Sequence, residues 1–334
     1  MPQRGLEWHN GLKLPGTRLG ALIEFDMLPR GAKVLWVSSA GGHLSELLKI
    51  DGTVQASEDS LWVTFETQQT VSMLSARRSQ FVDYVAPRDA PATLRAARRI
   101  LSILRRESFD ACISTGAAVA VSGLPLAALF GIPTYYVESL ARVSAPSFTG
   151  RILERAPRVR TYAQYEGWSS RRWPYAGTIW DSFSCSSGTE PARVRKILVT
   201  LGTIRPYAFD RAVDAVLSIL QPGDELTWQL GSTRRSGLPG TVHQEMGFGD
   251  LSRCAAAADV VITHAGVGTI LQLMSLGKMP VLAVRDPAHR EHVDGHQEEI
   301  ASAAATRGVV RVLDLARPDR GVLEAAASRR IIST

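Results

Sequence analysis

Short apolar runs alternate with longer amphipathic stretches along most of the chain. The alternation predicts parallel strands joined by crossover helices, a doubly wound α/β architecture. Residues 33–37 (KVLWV) form the first run, and 61–65, 81–85, 111–114 and 134–137 repeat it. These runs are short and mostly rich in β-branched or aromatic residues, as strands of a covered sheet should be. Residues 44–50, 91–106 and 117–130 read as the intervening helices. In 91–106, Leu94, Ala97, Leu101 and Leu104 recur at helical spacing, with Arg95, Arg98, Arg99, Arg105 and Arg106 on other faces. The Leu side is therefore expected to pack on the sheet. Pro91 sits in the first turn, Gly131 ends the third helix and Pro133 prevents its continuation.

The same rhythm restarts at residue 196. Strand-like runs occupy 196–200, 226–230, 242–248, 260–262, 280–284 and 309–312, with helices over 207–220, 250–257, from 269 onward, and 297–307. Residues 182–190 are rich in Ser, Gly and Thr and precede Pro191, which marks a linker. The expected division is an N-terminal arm at 1–30, a first Rossmann-like domain at 31–180, a linker at 181–195 and a second Rossmann-like domain at 196–334. The tail beyond Pro318 reads as a helix.

Chemistry concentrates in the turns. After the 260–262 run comes His264-Ala265-Gly266-Val267-Gly268, with a helix expected to open at Thr269. A Gly-rich strand–helix turn brings free N–H groups and the positive end of a helix dipole to one point, which favours phosphate. Thr269 is placed to cap the helix or to donate to the same anion. After 280–284 lies a polar cluster: Arg285, Asp286, Arg290, Glu291, His292, Asp294, His296 and Gln297. It falls where open α/β sheets bind ligands, at the carboxyl end of a strand. The first domain has its own turn, Ser38-Ser39-Ala40-Gly41-Gly42-His43, and Glu138-Ser139 follow the 134–137 run. Leu201-Gly202-Thr203 is a further turn facing the same region.

Composition narrows the classes. The 334 residues suffice for two domains, and 45% hydrophobic with 21% charged is a globular balance. A net charge of +6 suits an anionic ligand or surface. The basic residues lack interleaved aromatic platforms, which argues against nucleic acid. Cys112, Cys185 and Cys254 are far apart and imply neither a disulfide framework nor a zinc site. No continuous apolar stretch approaches the roughly eighteen residues of a transmembrane helix, and 1–30 lacks the pattern of a signal peptide. Those features lead to the expectation of a cytoplasmic chain. Between residues 77 and 110 there are eight arginines (77, 78, 88, 95, 98, 99, 105, 106) and four acids, so this stretch is also a candidate for contact with an anionic membrane face.

Two resemblances bear on function. His264, Gly266, Thr269 and Gln272, followed by Asp294, His296 and Gln297, resemble the donor half of GT-B glycosyltransferases that use UDP-sugars. Gln272 stands where that family usually has a ribose-binding Glu. Residues 113–153 (ISTGAAVAVSGLPLAALFGIPTYYVESLARVSAPSFTGRIL) resemble the acceptor subunit of the two-subunit transferase that adds the second GlcNAc to dolichol diphosphate, and its bacterial exopolysaccharide homologues. The half from Lys196 resembles the partner subunit, so the chain looks like a fusion, acceptor half first.

The resemblance implies a GT-B fold, two Rossmann-like domains facing a cleft, and inverting transfer from UDP-GlcNAc or UDP-glucuronate. The acceptor would be a saccharide linked to polyprenyl diphosphate, in surface polysaccharide synthesis, on the inner face of the plasma membrane. It implies donor contacts from Gly202, Thr203, Phe248, Gly249, His264, Gly266, Gly268, Thr269, Gln272, Arg285, His296 and Gln297. The uracil would lie at the Phe248–Gly249 junction, and Gln297 would meet sugar hydroxyls. Gly41, Gly42, Gly116 and Ser139 form the acceptor side. His43 and Glu138 are the candidates for catalytic base, His43 having the better unperturbed pKa. No Asp-x-Asp motif adjoins an apolar strand, so no metal or cofactor is expected. A UDP-GlcNAc 2-epimerase of the same architecture and a non-catalytic nucleotide-sugar binding subunit remain open alternatives.

Overall fold

A computed structural model describes residues 28–86, 89–186 and 192–333. Most of the expected arm, Arg88 and the middle of the expected linker lie outside the described residues.

The first half runs β1 (Val34–Ser38), α1 (Gly42–Val54), β2 (Leu61–Phe65), α2 (Gln68–Met73), β3 (Ser79–Val82), α3 (Ala90–Leu104), β4 (Ala111–Gly116), α4 (Ala118–Leu129), β5 (Thr134–Val137), α5 (Phe148–Leu153), β6 (Val159–Tyr162) and β7 (Phe183–Cys185). The second runs β8 (Lys196–Thr200), α6 (Asp210–Ser218), β9 (Glu225–Gln229), β10 (Thr241–His243), α7 (Phe248–Ala257), β11 (Val260–His264), α8 (Val267–Ser275), β12 (Pro280–Ala283), α9 (His296–Thr306), β13 (Arg311–Val312), α10 (Gly321–Ala327) and β14 (Ile331–Ser333).

Two six-stranded sheets result, ordered β3-β2-β1-β4-β5-β6 and β10-β9-β8-β11-β12-β13, and the pairs within each are parallel. Their orders are the same. The chain leaves β1 toward one edge and returns to β4 on the other side, and β8 and β11 repeat this. The loops after β1 and β4, and after β8 and β11, therefore diverge and leave a crevice at each sheet's carboxyl end. The central strands β1, β2, β4 and β5 are buried at every position, as helices on both faces demand.

The halves meet through α1 and α8, which pack on each other. A Cβ on Gly268 would lie 3.1 Å from the Gly42 nitrogen, so two glycines let two helix N-termini come together. At the other end β14 pairs antiparallel with β7. The tail helix α10 stays against β11, β12 and β13, and it is the strand β14 that reaches back toward the first half.

Several elements differ from the expected ones. The buried face of α3 is Ala92, Ala96, Ile100, Ile103 and Leu104, while Leu94 is 53% exposed. The small Ala residues lie against α4, and the stripe is rotated away from Leu94. The strand expected over 242–248 is only β10, because Phe248 already belongs to α7. β6 was not anticipated: its exposed Arg160 breaks a short edge-strand pattern.

Candidate active site

In the first crevice, β1 ends in Ser38 and the chain turns through Gly41, at φ 77°, into α1. No side chain caps that helix, so its first N–H groups remain available. The loops after β1 and β4 are tied together. Ser39 N donates to Gly116 O at 2.8 Å, Ala117 N to Ser39 Oγ at 3.2 Å, and Thr115 Oγ1 to His43 O at 2.8 Å. Gly116 is buried and packs directly on the His43 ring, where a Cβ would come within 3.0 Å. It shapes the site rather than offering a surface to an acceptor. The His43 Nδ1 is enclosed without a hydrogen-bond partner. Burial lowers the His43 pKa to about 4, so the imidazole is neutral and able to take a proton.

Glu138 lies at the end of β5 and is buried. Its Oε1 accepts from Tyr136 Oη and Ser139 N, both at 3.1 Å, and its Oε2 from Ser147 N at 2.8 Å and Ser147 Oγ at 3.0 Å. Burial raises its pKa. With four donors on two oxygens, Glu138 braces the loop that follows β5, and the geometry favours His43 as the group open to an acceptor. Ser139, expected on the acceptor side, has its hydroxyl committed to Glu46 Oε1 at 2.6 Å. Glu46 was not singled out in the sequence. It is fully buried on α1, and its Oε2 also accepts from Leu140 N at 3.1 Å and Gln164 Nε2 at 3.2 Å. Its pKa is raised to about 8, first by burial.

The second crevice is built on the same plan. β11 ends in His264, whose ring is wedged between two glycines. A Cβ would come within 2.6 Å of it at Gly202 and 2.3 Å at Gly266. Gly202 is itself buried beneath that ring, so it packs the wedge and only its neighbour Thr203 is exposed. Helix α8 begins at Val267 with Gly266 as an uncapped N-cap. Thr269 therefore lies inside the first turn and is not the cap, leaving the N–H groups of the turn to an anion. Burial, then the charge of Arg285, lowers the His264 pKa to about 3.

Arg285 was expected to help hold phosphate, and the structure contradicts this. Its guanidinium is buried, donating to Leu201 O at 2.7 Å, Glu291 O at 2.8 Å and Tyr207 O at 3.0 Å, above the Phe209 ring. It ties its own loop, between β12 and α9, to the loop between β8 and α6. Gln297 is also buried, and its Oε1 accepts from Ala265 N at 3.3 Å and Arg285 N at 3.4 Å. Gln272 donates to Ser252 Oγ at 2.8 Å and Phe248 O at 3.3 Å, fixing α8 to the uncapped start of α7 where Phe248 and Gly249 lie.

His296 opens α9 and its Nδ1 contacts Asp294 Oδ1; His292 Nδ1 is 3.3 Å from the same oxygen. The three ligand atoms lie within 4.8 Å of one another, so this group has the donor set to hold a divalent ion, a possibility the sequence spacing did not raise. A cavity of about 1430 Å³ joins the halves. Its lining includes the polar side chains of His43, Glu138, Arg142, Asp294 and His296 and the apolar ones of Phe65, Phe81, Val121, Phe148 and Ile152, with Glu66 and Asp83 among them.

A family model, the glycosyltransferase family 28 C-terminal domain, matches residues 197–312. That stretch spans the second sheet from β8 to β13, so the second half of the chain is similar to a family 28 C-terminal domain. The UDP-N-acetylglucosamine–N-acetylmuramyl-(pentapeptide) pyrophosphoryl-undecaprenol N-acetylglucosamine transferase of Parasynechococcus marenigrum is 22% identical over 316 residues, covering 86% of this chain and 84% of that protein. The crystal structure of Acinetobacter baumannii MurG superposes with a TM-score of 0.53 at 19% identity, over 87% of this chain and 88% of that one. A UDP-GlcNAc 2-epimerase from Methanocaldococcus jannaschii does so with a TM-score of 0.50 at 11% identity, over 89% and 97%. The fold is GT-B. Because both a transferase and an epimerase share it, fold alone does not choose the reaction.

Proposed function

We propose that the chain is an inverting glycosyltransferase that moves N-acetylglucosamine from UDP-GlcNAc to a saccharide carried on a polyprenyl diphosphate, in the making of a surface polysaccharide. The observation that carries this reading is the size and mixed lining of the cavity. An epimerase needs room for its nucleotide sugar alone. Here a space of about 1430 Å³, lined from both halves, carries His43, Glu138 and Arg142 together with Phe65, Phe81, Val121, Phe148 and Ile152, which fits an amphipathic acceptor. The names of the relatives, transferases acting on undecaprenol-linked substrates, support it.

In this reading UDP lies against the family 28 domain, its diphosphate at the N-terminus of α8 (Gly266, Gly268, Thr269) and its uracil beside Phe248 and Gly249. His43 takes the proton from the acceptor hydroxyl as that oxygen bonds to the donor's anomeric carbon. The bond from that carbon to the UDP oxygen breaks, and the leaving charge is met by the N–H groups of α8. In-line attack inverts the centre. No step is routed through a metal, and turnover is expected to survive a chelator.

We place the enzyme on the membrane surface. No helix among the described residues is long and apolar enough to cross a bilayer. Leu129, Phe130, Phe148 and Ile152 are exposed on α4, its end and α5, which pack together, and Arg95, Arg98 and Arg99 are exposed on α3 beside them. Phe148 and Ile152 also line the cavity, so the cavity reaches this face. Each Arg near an anionic leaflet contributes roughly 1 kcal/mol.

The test is a product mass spectrum after incubating the purified chain with a panel of UDP-sugars and a short-chain polyprenyl-diphosphate saccharide. Release of UDP with a lipid heavier by one N-acetylhexosamine is the expected result. Conversion of UDP-GlcNAc to its 2-epimer without acceptor, or no turnover without a second protein, overturns the reading. UDP-glucuronate in the panel tests the other donor.

A further inference from the structure

The loop 138–147 is held more firmly than an irregular segment needs for its own sake. Buried Glu46 accepts from Ser139 and Leu140, Gln164 Nε2 donates to Glu138 O at 2.8 Å, Tyr165 Oη to Leu140 O at 2.7 Å, and Trp168 Nε1 to Arg142 O at 3.2 Å. Four side chains, Glu46 from α1 and Gln164, Tyr165 and Trp168 from the segment after β6, thus fix the loop as far as Arg142. The Arg142 side chain is half-buried and lines the cavity, close enough to His43 and Asp294 for its charge to act on both. Among the described residues, no carboxylate forms an ion pair with it and its guanidinium donates no hydrogen bond. A half-buried, unpaired guanidinium on a rigid loop in a cleft is costly unless an anion meets it.

We infer that Arg142 receives the diphosphate of the lipid acceptor, with its planar fork across the phosphate oxygens. This rests on the proposed transfer reaction and names the contact that seats its acceptor. The position fits the shape. The acceptor's diphosphate must lie between the sugar hydroxyl at His43 and the lipid, and Arg142 lines the same cavity as His43, Phe148 and Ile152. The donor diphosphate has its own receptor in the uncapped N-terminus of α8. Seating an anion on Arg142 has a second effect. Its positive charge opposes protonation of His43, so neutralising it on acceptor binding makes His43 a stronger base once the substrate is in place. Tyr136 on β5, Glu138 just after it, Glu66, Asp83 and Tyr84 after β2 and β3, and Asp294 and His296 from the facing domain line the same cavity as His43.

The test is direct binding, independent of turnover. With the full chain saturated by UDP, geranylgeranyl diphosphate is titrated calorimetrically into wild-type, Arg142→Gln and Arg142→Lys proteins of matched thermal stability. The expected result is a loss of about 10- to 100-fold for Gln, the range of a lost charge-assisted hydrogen bond, and a smaller loss for Lys. UDP affinity should be unchanged. Equal binding by Arg142→Gln overturns the assignment, and so does an equal loss of UDP affinity, which would place Arg142 on the donor. A wild-type chain that binds the prenyl diphosphate through Arg142 but transfers no sugar sinks the transfer reading and leaves this one standing. In the active enzyme, Arg142→Gln should raise the acceptor KM and move the acid limb of the pH–rate profile toward higher pH, a shift that a purely structural residue would not produce.

Discussion

The two crevices share one strand order and one device, a histidine at the carboxyl end of a sheet held against glycine, yet they are finished differently. In the first, the surroundings of His43 are acidic and buried: Glu138 and Glu46 lock the loop after β5, and the cavity beside them is lined in part by apolar side chains. In the second, the surroundings of His264 are cationic and self-contained: Arg285 binds three carbonyls of two loops and Gln297 bridges two backbone nitrogens. A duplicated topology therefore supplies two ligand positions, and the buried polar groups behind each histidine decide which histidine is left to do chemistry. His264 is wedged on both sides; His43 faces the cavity.

Substituting the two histidines breaks the comparison most sharply. His43→Ala should lower kcat by about 10²- to 10⁴-fold, the usual contribution of a general base, with UDP affinity unchanged. His264→Ala should do the reverse, weakening UDP in a calorimetric titration because the α8 turn loses its support, with a smaller effect on kcat. Similar losses of both quantities in both variants would mean that the crevices are not divided as described.

A smaller effect is expected from Gly266→Ala. The added methyl meets the His264 ring at 2.3 Å, so the ring or the α8 turn must shift. UDP affinity should fall about tenfold, as for one displaced hydrogen bond, while binding of geranylgeranyl diphosphate stays as in wild type. The equivalent change on the acceptor side, Gly116→Ala, presses on His43 and should reduce kcat instead. If Gly266→Ala leaves UDP binding intact, the wedge has no role in holding the turn.

The sequence carried the crevices because a buried strand running into a Gly-rich turn leaves a strong local pattern, and both His43 and His264 stand at such turns. It did not carry what the buried polar groups do. Arg285 follows a strand in a polar cluster and reads as a ligand residue; only the fold shows the Leu201, Tyr207 and Glu291 carbonyls converging on it. Ser139 was read as facing an acceptor because Glu46 is 93 residues away in the chain. Glu46 did leave a signal, since it lies four residues before Ile50 and so on the buried stripe of α1. Arg142 left none, because its loop has no periodicity. The edge strand β6 was missed because short alternating runs bearing an Arg resemble loops.

The smallest expected effect separates the buried carboxyl groups from the two histidines by pH. Glu46 has a folded pKa of about 8, well above that of an unfolded Glu, so the folded state keeps a proton that the unfolded state releases above roughly pH 4.5. Its contribution is complete below that pH and is lost as pH rises toward 8, at most about 1.4 kcal/mol per pH unit. Glu138, also raised by burial, acts in the same direction. His43 and His264 act oppositely. Their pKa values are lowered to about 4 and about 3, so stability is lost as pH falls below roughly 6.5, when each unfolded imidazole takes a proton that the folded one refuses. Glu46→Gln removes only the alkaline limb. The amide oxygen still accepts from Leu140 N, and the Ser139 hydroxyl can turn to accept from the new NH2 group. Tm measured from pH 4 to 9 should therefore fall above pH 6 less steeply in Glu46→Gln than in wild type, while the acid limbs coincide. Parallel curves at alkaline pH would show that Glu46 is ionised in the folded protein. The loop carrying Arg142 would then be held by a buried carboxylate, not by a carboxylic acid.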